Sequence, residues 1–308
     1  MEQARIPVAV GPGEAAWAVD AIRRGGGEPV GLGEKPSGLV WTDPGAVEEL
    51  GDVLRAYPGI SWVQLPMAGI EQVAEAGLLD RRRRWTSAKG AYAEPVAEHA
   101  LALLLAGLRY LPERARARSW GQPAARTLFD QPVTVLGGGG ITIALLRLLE
   151  PFRAQVTVVR RRAEPVAGAV RTMTPSHLDE ALAGARAVVL TLALTPQSRR
   201  MIGQKELELM DQQAWLVNVA RGALVDTAAL VGALRSNQIG GAALDVTDPE
   251  PLPAGHPLWD LPNCLITPHT ADTEQMTEPL LAARIAENVR RLAAGHELEG
   301  RVDPDLGY

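Results

Sequence analysis

The chain has 308 residues, a formal net charge of −5, 46% hydrophobic residues and 22% charged ones. That is the composition of a soluble globular protein with enough chain for about two domains. The acidic balance offers no basic face to nucleic acid, and the longest apolar run, residues 100–108, is too short to span a bilayer, so neither nucleic acid nor membrane is expected as a partner. One cysteine, Cys264, cannot make an internal disulfide, and no Cys/His cluster has zinc spacing, so no metal is expected. The first ten residues, Glu2 and Arg5 among them, lack a signal-peptide core, and a cytoplasmic location is the expectation.

Through about residue 95, the runs 8–10, 39–42, 62–65 and 85–88 read as strands. Gly and Pro punctuate them, and the stretches between are long enough for helices. Such alternation predicts a parallel sheet covered on both faces. Four consecutive arginines, Arg81 to Arg84, read as a solvated loop, with a local anion patch as the alternative. Residues 95–112 read as one helix. Pro95 suits its first turn, Val96, Ala100, Leu103, Leu104 and Leu108 share a face, and Pro112 stops it. Residues 113–126 follow as a polar surface excursion on which Trp120 is expected to pack.

The alternation restarts at Gln131. Strands are predicted at 133–136, 155–159, 188–192, 215–219, 241–246 and 264–267, with a helix at 141–149 and a long last helix at 273–294. Between the first of these strands and its helix stands Gly137-Gly138-Gly139-Gly140-Ile141-Thr142. Gly137 and Gly139 hold the first two positions of G-x-G-x-x-G, which allow a tight turn and close backbone approach to a pyrophosphate. Gly140 and Ile141 open the helix whose amides face that anion. Thr142 replaces the third glycine, where its hydroxyl could bond a phosphate or cap the helix. About 20 residues on, where a carboxylate would read the ribose hydroxyls of NAD, stand Arg160 and Arg161. A guanidinium there suits a 2′-phosphate, so NADP(H) is favoured and NAD(H) is the alternative.

Three later segments end strands with chemically active side chains: Asn218-Val219-Ala220-Arg221-Gly222, then Leu244-Asp245-Val246 followed by Glu250-Pro251, then Thr267-Pro268-His269. The patterns N-V-A-R-G, L-D-V-x-x-x-E-P and T-P-H resemble the D-isomer-specific 2-hydroxyacid dehydrogenase family, and within it the glyoxylate/hydroxypyruvate reductases. The likeness covers nearly the whole chain, including V-A-E-H-A-L-A-L from Val96 and L-T-P-Q from Leu194.

The resemblance implies an α/β fold of two Rossmann-like domains with the active site in the cleft. A flavodoxin-like substrate domain would take residues 1–95 plus 273–308, and a doubly wound dinucleotide-binding domain residues 96–272. It implies that Arg221 binds the substrate carboxylate and keto oxygen, that His269 is the general acid/base and that Glu250 orients it. Asp245, Leu192, Val219 and Thr270 would line the cofactor. Met67, Ala68 and Gly69 would form the loop that holds the substrate carboxylate. A homodimer is the family default, and because some relatives send an aromatic from the excursion after the connecting helix into the partner's active site, that role for Trp120 is the alternative to surface packing. The chemistry agrees with each role: a guanidinium fork binds a carboxylate and polarises the neighbouring carbonyl, and imidazole exchanges a proton near neutral pH. Departures from the pattern are Thr142, Ala193 and Asp272. The expected activity is NAD(P)H-dependent reduction of a small 2-keto acid. An NADH enzyme for a bulkier or phosphorylated acid and a non-catalytic nucleotide-sensing relative are the alternatives.

Overall fold

The structure is a computed structural model that describes residues 5–305; Glu2 and the rest of the first four residues, and the last three, lie outside it. The chain divides into two compact units, one running to Tyr92 and resuming at Thr273, the other Ala93–Asp272.

The first unit begins with β1 (Pro7–Gly11), α1 (Ala16–Arg24), β2 (Glu28–Pro29) and β3 (Gly38–Trp41). It continues with α2 (Val47–Ala56), β4 (Trp62–Gln64), α3 (Glu71–Glu75) and β5 (Arg84–Thr86). The sheet order is β2-β1-β3-β4-β5, every pair parallel, which is the flavodoxin-like order. β3 and β4 are buried along their whole length, because parallel strands are covered on both faces. Trp41, Trp62 and Trp85 are among the largest fully buried side chains of the core, each contributing on the order of 2–3 kcal/mol of apolar burial. β2 is the strand that hydrophobic patterning misses. It is an edge of two residues, Glu and Pro, with nothing to bury.

Two members of the arginine run are engaged within the chain. Arg81 pairs with Asp305 at 2.7 Å, and Arg83 is nearly buried, held by Asp80 and the carbonyls of Ile60 and Leu54.

In the second unit the helix expected over 95–112 is two helices, α4 (Ala93–Leu108) and α5 (Leu111–Arg116). Tyr110 takes a left-handed φ of 54°, and Pro112 falls in the first turn of α5, where a missing N–H costs nothing. Pro112 thus lies in the first turn of the second helix rather than at the stop of the first. Trp120 does not pack on the surface; it is 97% exposed.

Then come β6 (Pro132–Leu136), α6 (Gly140–Leu149), β7 (Gln155–Val159), β8 (Arg171–Met173), α7 (Leu178–Leu182) and β9 (Ala187–Leu190). After them follow α8 (Gln204–Leu209), β10 (Trp215–Asn218), α9 (Thr227–Arg235), β11 (Gly241–Leu244) and β12 (Cys264–Ile266). The all-parallel order β12-β11-β10-β9-β6-β7-β8 is the doubly wound dinucleotide-binding arrangement extended by one strand. β8 leaves no mark in the sequence pattern because it is an edge strand that is at most half-buried. α4 is apolar around most of its circumference and packs against α6, β10 and β11.

The chain returns to the first unit through α10 (Glu274–Ala294), which packs on α1. Buried Asn288 of α10 donates to Gln64 at 2.9 Å and accepts from the amide of Glu299 at 2.8 Å, tying the helix to β4. Among the described residues no helix is long and apolar enough to cross a membrane.

Candidate active site

Parallel strands bring all their carboxyl ends to one edge of the sheet, and ligands gather where the strand order reverses. In the second unit that point lies between β6 and β9. Gly137 follows β6 with φ 125°, and a Cβ there would stand 2.4 Å from Thr191 Oγ1, so only glycine fits. Its amide donates to Val159 O at 2.8 Å. Gly139 caps α6 in extended conformation, and nothing lies within 4 Å of where its Cβ would be. No side chain caps the first amides of α6, and Gly139 and Gly140 are exposed. Open space in front of uncapped helix amides is a cradle for a pyrophosphate, so this region fits a dinucleotide.

Thr142 neither caps the helix nor turns its hydroxyl to that space. It is fully buried, with Oγ1 2.8 Å from Thr191 Oγ1. The Thr191 hydroxyl donates to Leu136 O, so Thr142 is the donor of the pair. Where glycine would let helix and strand touch, a hydroxyl bridge joins them. Ile141 is half-buried beside it. Arg160 follows β7, its amide bound to Met173 O at 2.9 Å. Its side chain lies across the glycine turn, where a Cβ on Gly138 would come within 2.8 Å of Arg160 Cδ. Arg161 is exposed next to it. Leu192, half-buried, and Val219, buried, stand just past β9 and β10.

Past β10, buried Asn218 shapes the turn: its Oδ1 accepts from the Ala220 amide and its Nδ2 donates to Arg221 O. Arg221 is half-buried and donates to Ala220 O at 2.7 Å. A Cβ on Gly222 would sit 2.0 Å from the Thr247 carbonyl, so backbone meets backbone between this turn and the loop that carries Glu250. Glu250 Oε1 stands 2.6 Å from His269 Nδ1, with both side chains nearly half exposed. An ionised carboxylate only accepts, so Nδ1 carries the hydrogen and Nε2 is left for exchange.

His269 has a φ of 52°, rare for a residue with a Cβ. Its amide donates to Asp245 O and Thr267 O. The Asp245 carboxylate, 2% exposed, accepts from Thr267 Oγ1, the amides of Thr270 and Ala271, and His99. Burial alone would push this carboxyl up. The bonds from His99, Thr267, Thr270 and Ala271 outweigh that and hold it at about 2. Asp245 therefore spends its oxygens on the turn, and fixes where Thr270 and Ala271 stand. Half-buried Asp272 behaves oppositely: burial raises its carboxyl, against the pull of His269 and Arg221.

Met67, Ala68 and Gly69 belong to the first unit, past β4. Met67 O accepts from the Ala88 amide and Pro66 O from Tyr92, which pin the loop. His99, on α4, is a full member of the Asp245 network. Its place on an apolar helix gives no signal of that partner.

The family model of the D-isomer specific 2-hydroxyacid dehydrogenases, NAD binding domain, matches residues 99–271. An uncharacterised protein of Corynebacterium melassecola is 39% identical over 81% of this chain and 84% of its own length. The glyoxylate reductase of Aeropyrum pernix is 33% identical over 72% of this chain and 68% of its own. A D-isomer specific 2-hydroxyacid dehydrogenase of Xanthobacter autotrophicus, solved with NADPH and MES, is 28% identical and superposes with a TM-score of 0.84, covering 99% of this chain and 100% of that one. Fold and relatives together define a nicotinamide-dependent oxidoreductase. The chain belongs to the D-isomer specific 2-hydroxyacid dehydrogenase family, whose members are NAD(P)-dependent and act on 2-hydroxy acids.

Proposed function

We propose that the protein reduces a small 2-keto acid of the glyoxylate or hydroxypyruvate kind to the D-2-hydroxy acid, with NADPH favoured over NADH. The observation that carries the reading is the 2.6 Å pair of His269 Nδ1 and Glu250 Oε1, on the loops past β12 and β11, the strands next in order to the β10 that ends at the Arg221 turn. Gly137, Gly139, Gly140 and the first amides of α6 would hold the dinucleotide, which supplies a hydride when bound. Arg221 would bind the substrate carboxylate and stabilise the charge that develops on the keto oxygen. His269 would give its Nε2 proton to that oxygen, with Glu250 holding the ring and stabilising its charge. In the oxidative direction neutral His269 would take the hydroxyl proton back. The amides of Ala68 and Gly69, which have no acceptor among the described residues, suit a carboxylate.

The NADPH preference is supported by Arg160, which lies on the glycine turn where a 2′-phosphate needs a cation. Arg160→Asp should move the NADPH/NADH ratio of kcat/KM by about tenfold or more toward NADH, the loss expected of a charge-assisted bond. An unchanged ratio would remove Arg160 as the phosphate reader. The reaction itself is tested by following reduced-nicotinamide absorbance with NADPH and NADH across a panel of 2-keto acids. Oxidation of NADPH by glyoxylate or hydroxypyruvate supports the reading; turnover only with NADH and bulky or phosphorylated acids replaces it. A homodimer in the cytoplasm completes the proposal, and light scattering in solution tests the dimer.

A further inference from the structure

We propose that His99 is a positioning residue for hydride transfer: from α4 it fixes, through Asp245, the turn that carries His269. The inference rests on the reading of His269 as the acid/base.

The hydrogen-bond arithmetic leaves little freedom. Thr267 has one hydroxyl proton, and it goes to Asp245 Oδ1 at 2.5 Å. His99 Nε2 lies 3.1 Å from Thr267 Oγ1 and 3.3 Å from Asp245 Oδ1. Both of those oxygens can only accept from it, so Nε2 carries a hydrogen and donates to the pair. The remaining donors to the Asp245 carboxylate are the Thr270 amide at 2.9 Å and the Ala271 amide at 3.0 Å. Three of the four donors thus come from the short segment around His269, and the Asp245 carbonyl accepts the His269 amide as well. Among the described residues, His99 is the one donor to that carboxylate from elsewhere in the fold.

The consequence is mechanical. His269 is held at φ 52°, a conformation that persists only when its surroundings over-determine it. The clamp that does so is anchored by His99 to α4, and α4 also packs against α6, β10 and β11. The helix behind the glycine cradle, the strand that ends at Arg221 and the turn of His269 therefore share one support. A buried carboxylate one donor short would be free to shift, and the turn would shift with it.

The test uses the full-length protein and three variants. His99→Leu removes the donor; His99→Gln offers an amide nitrogen near the place of Nε2; Thr267→Val breaks the same clamp from the other side. His99→Leu should lower kcat for keto-acid reduction about tenfold, the loss expected of one hydrogen bond to a charged group. The KM for the keto acid should stay unchanged, and His99→Gln should recover most of the lost kcat. A wild-type kcat in His99→Leu overturns the proposal, and so does a loss in His99→Gln equal to that in His99→Leu, which would mean packing alone. Should His99→Leu fail to fold, an active His99→Gln beside a slow Thr267→Val supports it, and a wild-type Thr267→Val overturns it. His269→Ala run in parallel separates the two claims. Turnover retained there sinks the reading of His269 itself, whereas an inactive His269→Ala beside a fast His99→Leu sinks only the role of His99.

Discussion

A carboxyl group reports its surroundings through the direction in which its proton affinity moves, and the two that flank His269 move in opposite directions. Asp245 is depressed to about 2 by donors that outweigh its burial. It adds stability above the ordinary carboxylate range of an unfolded chain, and that stability is lost as pH falls from about 4 toward 2. Asp272 is raised, chiefly by burial. The folded state then binds its proton more readily than the unfolded one, so stability falls as pH rises through the window above the ordinary carboxylate value, and the cost persists at neutral pH. Asp272→Asn should accordingly raise the melting temperature at pH 7 and leave it unchanged at pH 3; a fall at pH 7 would mean that the charge is compensated. At this scale the motif residues are legible in the sequence because each stands at a strand end in a recognisable pattern. The role of Asp245 as a clamp is not, because its donors include His99, far away in sequence and set in an ordinary apolar helix. Thr142 is legible as a departure from glycine, but its pairing with Thr191 depends on α6 meeting the end of β9.

Helices and strands are legible in proportion to what they bury. β3, β4, β9, β10 and β11 are buried throughout and announce themselves as apolar runs. The edge strands β2 and β8 bury little and leave no run to read. The break between α4 and α5 turns on the left-handed Tyr110, which composition does not mark. Contacts between loops are equally silent. Gly222 looks like one more glycine after Arg221, yet its missing Cβ lets the turn of Arg221 touch the Thr247 backbone at the root of the Glu250 loop. Gly222→Ala should destabilise the protein by about 1–3 kcal/mol, the usual range for overpacking, and lower kcat as the loops part. An unchanged melting temperature in thermal unfolding would show that the contact yields easily.

Over the whole molecule the governing fact is that every strand pairing within the two sheets is parallel. Parallel pairing requires a crossover between strands and sends the carboxyl ends one way, so residues spread from Gly137 to His269 arrive along one edge of the larger sheet. Apolar runs alternating with helical stretches make that architecture legible in the amino-acid sequence. Strand order does not follow from those runs alone; it is the family resemblance of the motifs that implies the flavodoxin-like and doubly wound orders observed. On the proposed function this edge carries an acid/base and not merely a nucleotide cradle. The most direct test compares steady-state NADPH oxidation by wild type and His269→Ala, with NADPH binding followed by fluorescence in both. Turnover should fall by about 10²–10⁴-fold while NADPH still binds. Near-normal turnover in His269→Ala would contradict the claim.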